Sequence, residues 1–226
     1  MIEHAYESEA ALVGALCGEI CDRLQDGVVE RGWAGLVVTG GSTPGPLYDA
    51  LSGCEAPWAK TFVTLSDERW VSPRDPASNE KLIRERLLKG RAARAHFIPL
   101  KTDDDSPAAA LESVDARVAA MPRPFDAVVL GMGEDGHFAS LFPGNPALKI
   151  GLDAICAESV VAVEAPGAAG SAHRLSLTLS ALTDARWIAL MIRGEAKLHR
   201  VRQPARTPIA ALLAQEKVPV EVFYAP

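Results

Sequence analysis

The feature that most constrains this sequence is an apolar run that leads directly into a glycine-rich, charged segment. Residues 125–130 have the near-continuous hydrophobicity of a strand buried on both faces, and Gly131, Gly133 and Gly136 follow at once. Strands of this kind belong to parallel sheets that helices cover on both sides. Glycines at the carboxyl end of such a strand let backbone N–H groups approach a ligand closely. The segment therefore predicts an α/β protein with a binding site at the carboxyl edge of its sheet.

The rest of the chain alternates short β-rich runs with segments of helical periodicity. Strands are predicted at residues 35–39, 61–65, 97–98, 125–130, 160–163, 175–178, 187–191 and 220–223. Helices are predicted at residues 8–31, 43–51, 78–88 and 107–120, and from 195 and 208 onward, with Thr43 as a hydroxyl cap. The alternation predicts a Rossmann-like three-layer α/β sandwich, in which helices flank a mostly parallel central sheet. A length of 226 residues fits one domain over residues 1–226.

Composition excludes several classes of function. A net charge of −6 without a Lys/Arg-rich run argues against nucleic-acid binding. No apolar stretch approaches the roughly 18 residues of a membrane span, and the N-terminus lacks a signal-peptide pattern, so a cytoplasmic protein is expected. The cysteines show no Cys-x-x-Cys spacing. Cys17 and Cys21 share one face of the predicted first helix, where packing is favoured over a redox or metal role.

Two further predicted strands end in segments suited to ligand binding. Gly40-Gly41-Ser42-Thr43-Pro44 combines glycines with hydroxyl residues at a helix start, which favours either a phosphate cradle or a plain helix cap. Asp67-Glu68-Arg69 places three charges directly after a buried strand, where they either pair at the surface or bind a ligand. Because the carboxyl ends of parallel strands meet at one sheet edge, we expect both segments to lie near residues 131–137.

These segments resemble the 6-phosphogluconolactonase branch of the glucosamine-6-phosphate isomerase/6-phosphogluconolactonase family. The matching pieces, in order, are residues 40–44, 67–71, 131–143, 174–178 and 194–197. Residues 131–143 are the most specific of them, and the others support the match by order and spacing. The resemblance implies hydrolysis of 6-phospho-D-glucono-1,5-lactone to 6-phospho-D-gluconate, a step of the oxidative pentose phosphate pathway.

The resemblance also implies roles for individual side chains. His137 is expected to act as general base on a water molecule, with Asp135 or Asp67 orienting the imidazole or the water. No metal and no cofactor are expected, the partner is a phosphorylated sugar lactone, and the chain is expected to be a monomer or a weak homodimer. The phosphate is expected to bind the cradle and nearby cations, through Gly41, Ser42, Thr43, Arg69, Arg174 and Lys197.

Two alternatives belong to other classes of function. A glucosamine-6-phosphate isomerase/deaminase would share residues 131–137, but that pattern has Tyr where Arg69 stands and an acid where Phe142 stands. A non-catalytic sugar-phosphate sensor would keep the cradle without needing Asp135 or His137. The sequence also departs from the lactonase pattern in two places. Phe138 replaces the usual Thr, and residues 1–6 leave little room for the strand that many relatives carry before the first helix.

Overall fold

The computed structural model describes residues 1–226 and contains ten strands and eight helices. The strands are β1 (Ile2–Ala5), β2 (Ala34–Val38), β3 (Thr61–Leu65), β4 (Asp67–Arg69), β5 (His96–Ile98), β6 (Ala127–Leu130), β7 (Val160–Glu164), β8 (His173–Leu177), β9 (Ile188–Arg193) and β10 (Val220–Ala225). The helices are α1 (Glu9–Arg31), α2 (Gly45–Gly53), α3 (Asn79–Arg86), α4 (Pro107–Ala119), α5 (Leu148–Gly151), α6 (Leu179–Thr183), α7 (Glu195–Arg202) and α8 (Pro208–Ala214).

Seven strands form a central sheet in the order β1-β10-β9-β6-β2-β3-β5, and every pairing within it is parallel. All residues of β2 and β6 are buried, as their uninterrupted hydrophobicity requires. A single apolar core of 57 buried residues surrounds the sheet. The sandwich with a mostly parallel central sheet that the sequence predicted is confirmed.

The strand order places a crevice between β2 and β6. From β2 the chain adds β3 and β5 on one side, and β6, β9 and β10 lie on the other side. At such a reversal the loops that follow the two neighbouring strands diverge, so ligands bind outside their carboxyl ends. The loop after β2 begins at Thr39 and the loop after β6 begins at Gly131. Both glycine-rich segments therefore border the same crevice.

A second, smaller sheet was not expected from the sequence. Residues 160–163 and 175–178 were predicted as strands, but β7 and β8 leave the central sheet and pair antiparallel with each other and with β4. Residues 67–69 therefore form a strand of their own instead of a loop after β3. The register sets Asp67 opposite Ser176 and Arg69 opposite Arg174. This pairing brings two polar segments, distant in sequence, to one side of the crevice.

Two local predictions were wrong. Residues 1–6 do hold a strand, because β1 adds to the edge of the sheet as a parallel partner of β10, where the backbone of Tyr6 also donates to Tyr224 O at 2.9 Å. Helix α2 begins at Gly45 with Pro44 as its N-cap, and no side chain caps it, so Thr43 is not the cap. None of the helices combines the length and the hydrophobicity that a membrane span requires.

Candidate active site

A cleft of about 250 Å³ lies at the carboxyl ends of the central strands. Its walls come from the loops after β2 and β6, from β4 and β8, and from the first turn of α7. Of its 17 lining residues only 3 are hydrophobic, so the cleft suits a polar ligand. The structure brings eight of the predicted site residues together in its lining: Gly41, Ser42, Thr43, Asp67, Arg69, His137, Arg174 and Lys197.

The ninth predicted residue, Asp135, lies behind the imidazole of His137. Nδ1 of His137 donates to Oδ1 of Asp135 at 2.6 Å, and the backbone N–H of His137 donates to the same oxygen at 3.1 Å. The carboxylate therefore fixes both the ring orientation and the tautomer, which leaves Nε2 with a lone pair. Asp67 makes no hydrogen bond to His137. Of the two predicted orienting acids, Asp135 is the one in contact.

The loop that carries Asp135 and His137 packs against α7 and α8. Gly136 has a φ of +83° and its carbonyl accepts from the backbone N–H of Ile209 at 3.0 Å. A Cβ atom at Gly136 would lie 2.6 Å from Cβ of Thr207, so only glycine fits there. Nε of Arg200 donates to the carbonyl of Glu134 at 3.0 Å. These contacts join the loop of residues 133–137 to α7 and α8.

The Gly40–Thr43 turn has the features of an anion site. The backbone N–H groups of Gly41, Ser42 and Thr43 donate to no atom of the chain. They precede the N-terminus of α2, whose dipole favours negative charge. Gly41 has a φ of +94°, a conformation that glycine adopts without strain. The turn therefore offers three donors to a phosphate group.

The turn is packed against α3 through Asn79. A Cβ atom at Gly40 would lie 1.9 Å from Oδ1 of Asn79, so the backbone approaches this side chain closely. Nδ2 of Asn79 in turn donates to the carbonyl of Asp67 at 2.8 Å. Asn79 thus joins the Gly40–Thr43 turn to β4. Its place near the start of a predicted helix did not indicate this role.

Two cations in the cleft keep donors for a ligand. Lys197, in the first turn of α7, forms no ion pair and no hydrogen bond within the chain. Arg69 donates from Nη1 to the carbonyl of Ala77 at 2.5 Å, but its buried Nε has no partner. Because that Nε is shielded from solvent, the donor that Arg69 keeps for an anion is its Nη2, which donates to no atom of the chain.

Arg174 differs because it is buried and mostly engaged. Its Nε donates to the carbonyl of Ser171 at 3.0 Å and its Nη2 to that of Ala169, while Nη1 lies 3.9 Å from Oδ2 of Asp67. Burial lowers the pKa of the guanidinium from its usual value, and the nearby Asp67 opposes that shift. Arg174 therefore borders the cleft with few free donors.

Ser140 links the loop after β6 to β4. Its Oγ donates to Oδ2 of Asp67 at 2.6 Å, and its backbone N–H donates to Oγ of Ser176 at 3.2 Å. All three side chains are buried. Sequence reasoning assigned Ser140 no role, and its place within the most specific matching segment was the only signal for it. The contact fixes Asp67 at the cleft wall.

Glu68, next to Asp67, points away from the cleft and anchors α3. Its carboxylate accepts from the backbone N–H groups of Asn79 at 2.8 Å and Glu80 at 2.7 Å, and from Oγ of Ser78 at 3.0 Å. Burial raises the pKa of Glu68, although these donors act in the opposite direction. Ser78 caps α3 and accepts from the N–H of Lys81. Glu68 thereby holds β4 against α3.

Two phenylalanines distinguish this site. The ring of Phe142 lies 4.5 Å from the imidazole of His137, and the guanidinium of Arg174 lies 5.3 Å from the Phe142 ring. An apolar ring therefore contacts both basic side chains. Phe138, which stands where the lactonase pattern has Thr, is completely buried and lies in the core. Its side chain therefore does not reach the cleft.

Comparisons with known proteins agree with this geometry. The model of the family described as glucosamine-6-phosphate isomerases/6-phosphogluconolactonase matches residues 7–223. A 6-phosphogluconolactonase of Caulobacter vibrioides is 44% identical over 98% of this chain and 96% of its own length. One from Rhizobium meliloti is 40% identical, with coverages of 99% and 98%. The crystal structure of a 6-phosphogluconolactonase from Shewanella baltica superimposes with a TM-score of 0.96 at 39% identity, covering 100% of this chain and 98% of that one. This chain therefore belongs to the glucosamine-6-phosphate isomerase/6-phosphogluconolactonase family.

Proposed function

We propose that this protein is a 6-phosphogluconolactonase, a carboxylic ester hydrolase that opens 6-phospho-D-glucono-1,5-lactone to 6-phospho-D-gluconate in the pentose phosphate pathway. The observation that carries the proposal is one polar cleft that is lined both by His137, whose imidazole is hydrogen-bonded to Asp135, and by the Gly40–Thr43 turn with its free N–H groups. The first supplies proton transfer and the second supplies phosphate binding. Full-length relatives at 40–44% identity are 6-phosphogluconolactonases, which supports the same substrate.

In the proposed mechanism, Nε2 of His137 removes a proton from a water molecule that attacks the lactone carbonyl. The carbonyl oxygen becomes an oxyanion, which loop N–H groups such as that of Met132 stabilise. When the tetrahedral intermediate collapses, the bond between C1 and the ring oxygen breaks, and the imidazolium returns its proton to that oxygen. Asp135 stabilises the imidazolium through Nδ1, at a distance of 2.6 Å. The product is the open acid, which ionises in water.

The phosphate is proposed to bind at the opposite end of the cleft. The N–H groups of Gly41, Ser42 and Thr43 donate hydrogen bonds to its oxygens, and Lys197 and Arg69 supply positive charge. Arg174 contributes less, since backbone carbonyls and Asp67 already occupy its donors. Binding energy from the phosphate would hold the lactone carbonyl near His137.

The deaminase alternative is disfavoured by Phe142. Opening an aminosugar ring needs an additional acid–base group, and the deaminase pattern supplies it at this position. Here a phenyl ring packs 4.5 Å from the imidazole of His137, and no proton can pass through it. The sensor alternative leaves the hydrogen bond between Asp135 and His137 unexplained, because phosphate binding alone does not require it.

The deciding experiment measures acid release from 6-phosphogluconolactone with the full chain, above the spontaneous hydrolysis of the lactone. We expect His137→Asn to lower the catalysed rate by about 10²–10⁴-fold, the usual contribution of a general base. Glu134→Gln serves as the matched control, since Glu134 lies in the same loop but its exposed side chain makes no contact with His137.

Three outcomes would contradict the proposal. Ammonia release from glucosamine 6-phosphate would favour the deaminase. Binding of 6-phosphogluconate without faster lactone opening would favour the sensor. A His137→Asn variant within threefold of the wild-type rate would remove His137 from the mechanism.

The cytoplasmic location and the monomeric or weakly dimeric state expected from the sequence stay predictions.

A further inference from the structure

Three cysteines meet on the side of the sheet where α1 packs against α2. Cys17 and Cys21 lie four residues apart on α1, so their side chains share one face of the helix. Cys54 follows the last residue of α2 as its C-cap. The three Sγ atoms all lie within 4.8 Å of one another. None of the three forms a disulfide.

This arrangement approaches the geometry of a thiolate metal site. A bond of about 2.3 Å from a metal to sulfur places the sulfurs of a trigonal or tetrahedral centre about 3.8–4.0 Å apart. Side-chain movements of less than about 1 Å would bring the three sulfurs to that spacing. The i, i+4 pair also uses the helical spacing by which two ligands of an HExxH segment hold one metal ion.

The donor set selects a soft ion. No imidazole or carboxylate joins the cluster, so sulfur is the only ligand type that it offers. Thiolates favour Cu(I) and Zn(II) over hard cations, and zinc sites in proteins almost always take four ligands. Three sulfurs without a fourth protein ligand fit Cu(I) best. Cys21 is buried, whereas Cys17 and Cys54 are partly exposed, which gives the ion a route to the site.

We infer that Cys17, Cys21 and Cys54 form a trigonal three-thiolate site for a soft metal ion, Cu(I). The site is separate from the cleft, because none of the three cysteines lines it. It does not depend on the proposed lactonase function. Binding replaces the thiol protons with the metal ion, so the affinity falls as the pH is lowered.

The test titrates the reduced full chain with Cu(I), without oxygen and with ascorbate as reductant, against the coloured chelator bathocuproine disulfonate. We expect one Cu(I) per chain. Cys17→Ala and Cys54→Ala each remove a ligand. Loss of a residue that only supports a metal ligand costs roughly 10–100-fold in affinity, and we expect each of these variants to lose more than that. Cys156→Ala is the matched control, since Cys156 is a free thiol outside the cluster.

Circular dichroism and thermal unfolding of each variant separate loss of the site from loss of the fold. Cu(I) should raise the melting temperature of the wild type and of Cys156→Ala, but not that of Cys54→Ala. A parallel titration with Zn(II) should show weaker binding than Cu(I). The inference is overturned if wild type and Cys54→Ala bind Cu(I) equally well. It is also overturned if Cys156→Ala loses binding, or if Zn(II) binds as tightly as Cu(I).

Discussion

The imidazole of His137 occupies the space that a side chain at Gly133 would need. A Cβ atom at Gly133 would lie 2.3 Å from both Cε1 and Nδ1 of His137, and 2.6 Å from Oδ1 of Asp135. The backbone N–H of Gly133 also donates to the carbonyl of His137 at 2.9 Å. The glycine therefore lets the loop fold tightly enough for the Asp135–His137 hydrogen bond to form.

Gly133→Ala is expected to lower kcat by about 10²-fold while the protein stays folded, because a displacement of about 1 Å in a catalytic group can cost that much. The lactone-opening assay and thermal unfolding measure the two effects. Gly14→Ala is the control, since no atom lies within 4 Å of a Cβ atom there and alanine favours the α1 helix. Wild-type kcat in Gly133→Ala would show that the loop relaxes without moving the imidazole.

Asp135→Asn tests the orienting carboxylate. The amide can present its N–H groups to Nδ1, which favours the tautomer that carries its proton on Nε2 and cannot act as a base. We expect kcat to fall by about 10²-fold or more, with KM changed much less, since Asp135 lies outside the lining of the cleft. Steady-state kinetics with the phosphorylated lactone give both constants. A larger effect on KM than on kcat would place Asp135 in substrate binding instead.

Lys197→Met tests the phosphate end of the cleft. Removal of one charge-assisted contact of about 1.5–3 kcal/mol should lower kcat/KM for the phosphorylated lactone by about 10–100-fold. The rate for unphosphorylated gluconolactone should stay low and unchanged. Lys149→Met is the control, because Lys149 is exposed and lies outside the cleft. An equal loss with both lactones would mean that Lys197 does not recognise phosphate.

Phe138→Thr restores the residue of the lactonase pattern. Because Phe138 is completely buried, the exchange leaves a cavity and buries a hydroxyl, and we expect the free energy of unfolding to fall by about 3–5 kcal/mol. KM of the folded fraction should not change, since the side chain does not reach the cleft. Urea unfolding and KM measurements test the two halves. A lower KM in the variant would show that the missing hydroxyl contacts substrate.

Much of the fold and site follows from short stretches of sequence. Uninterrupted apolar runs predicted the parallel strands, because a strand covered on both faces has no polar side. Residues 131–137 predicted a binding site at the carboxyl edge of the sheet, and Asp135, two residues from His137, was one of the two acids expected to orient its imidazole. Ser78 indicated the start of α3 because a cap acts within three residues. Each of these signals depends on contacts that are local in the chain.

Contacts between distant segments were decided only by the tertiary structure. The sequence did not show that β4 pairs with β8, that Ser140 meets Asp67, or that Cys54 joins Cys17 and Cys21. The short strand β1 is equally invisible, since its stability comes from its backbone hydrogen bonds to β10. Local patterns record whether a segment is buried and which backbone conformations it needs. They do not record which partner it meets, because that depends on the edges and faces that the rest of the fold leaves free.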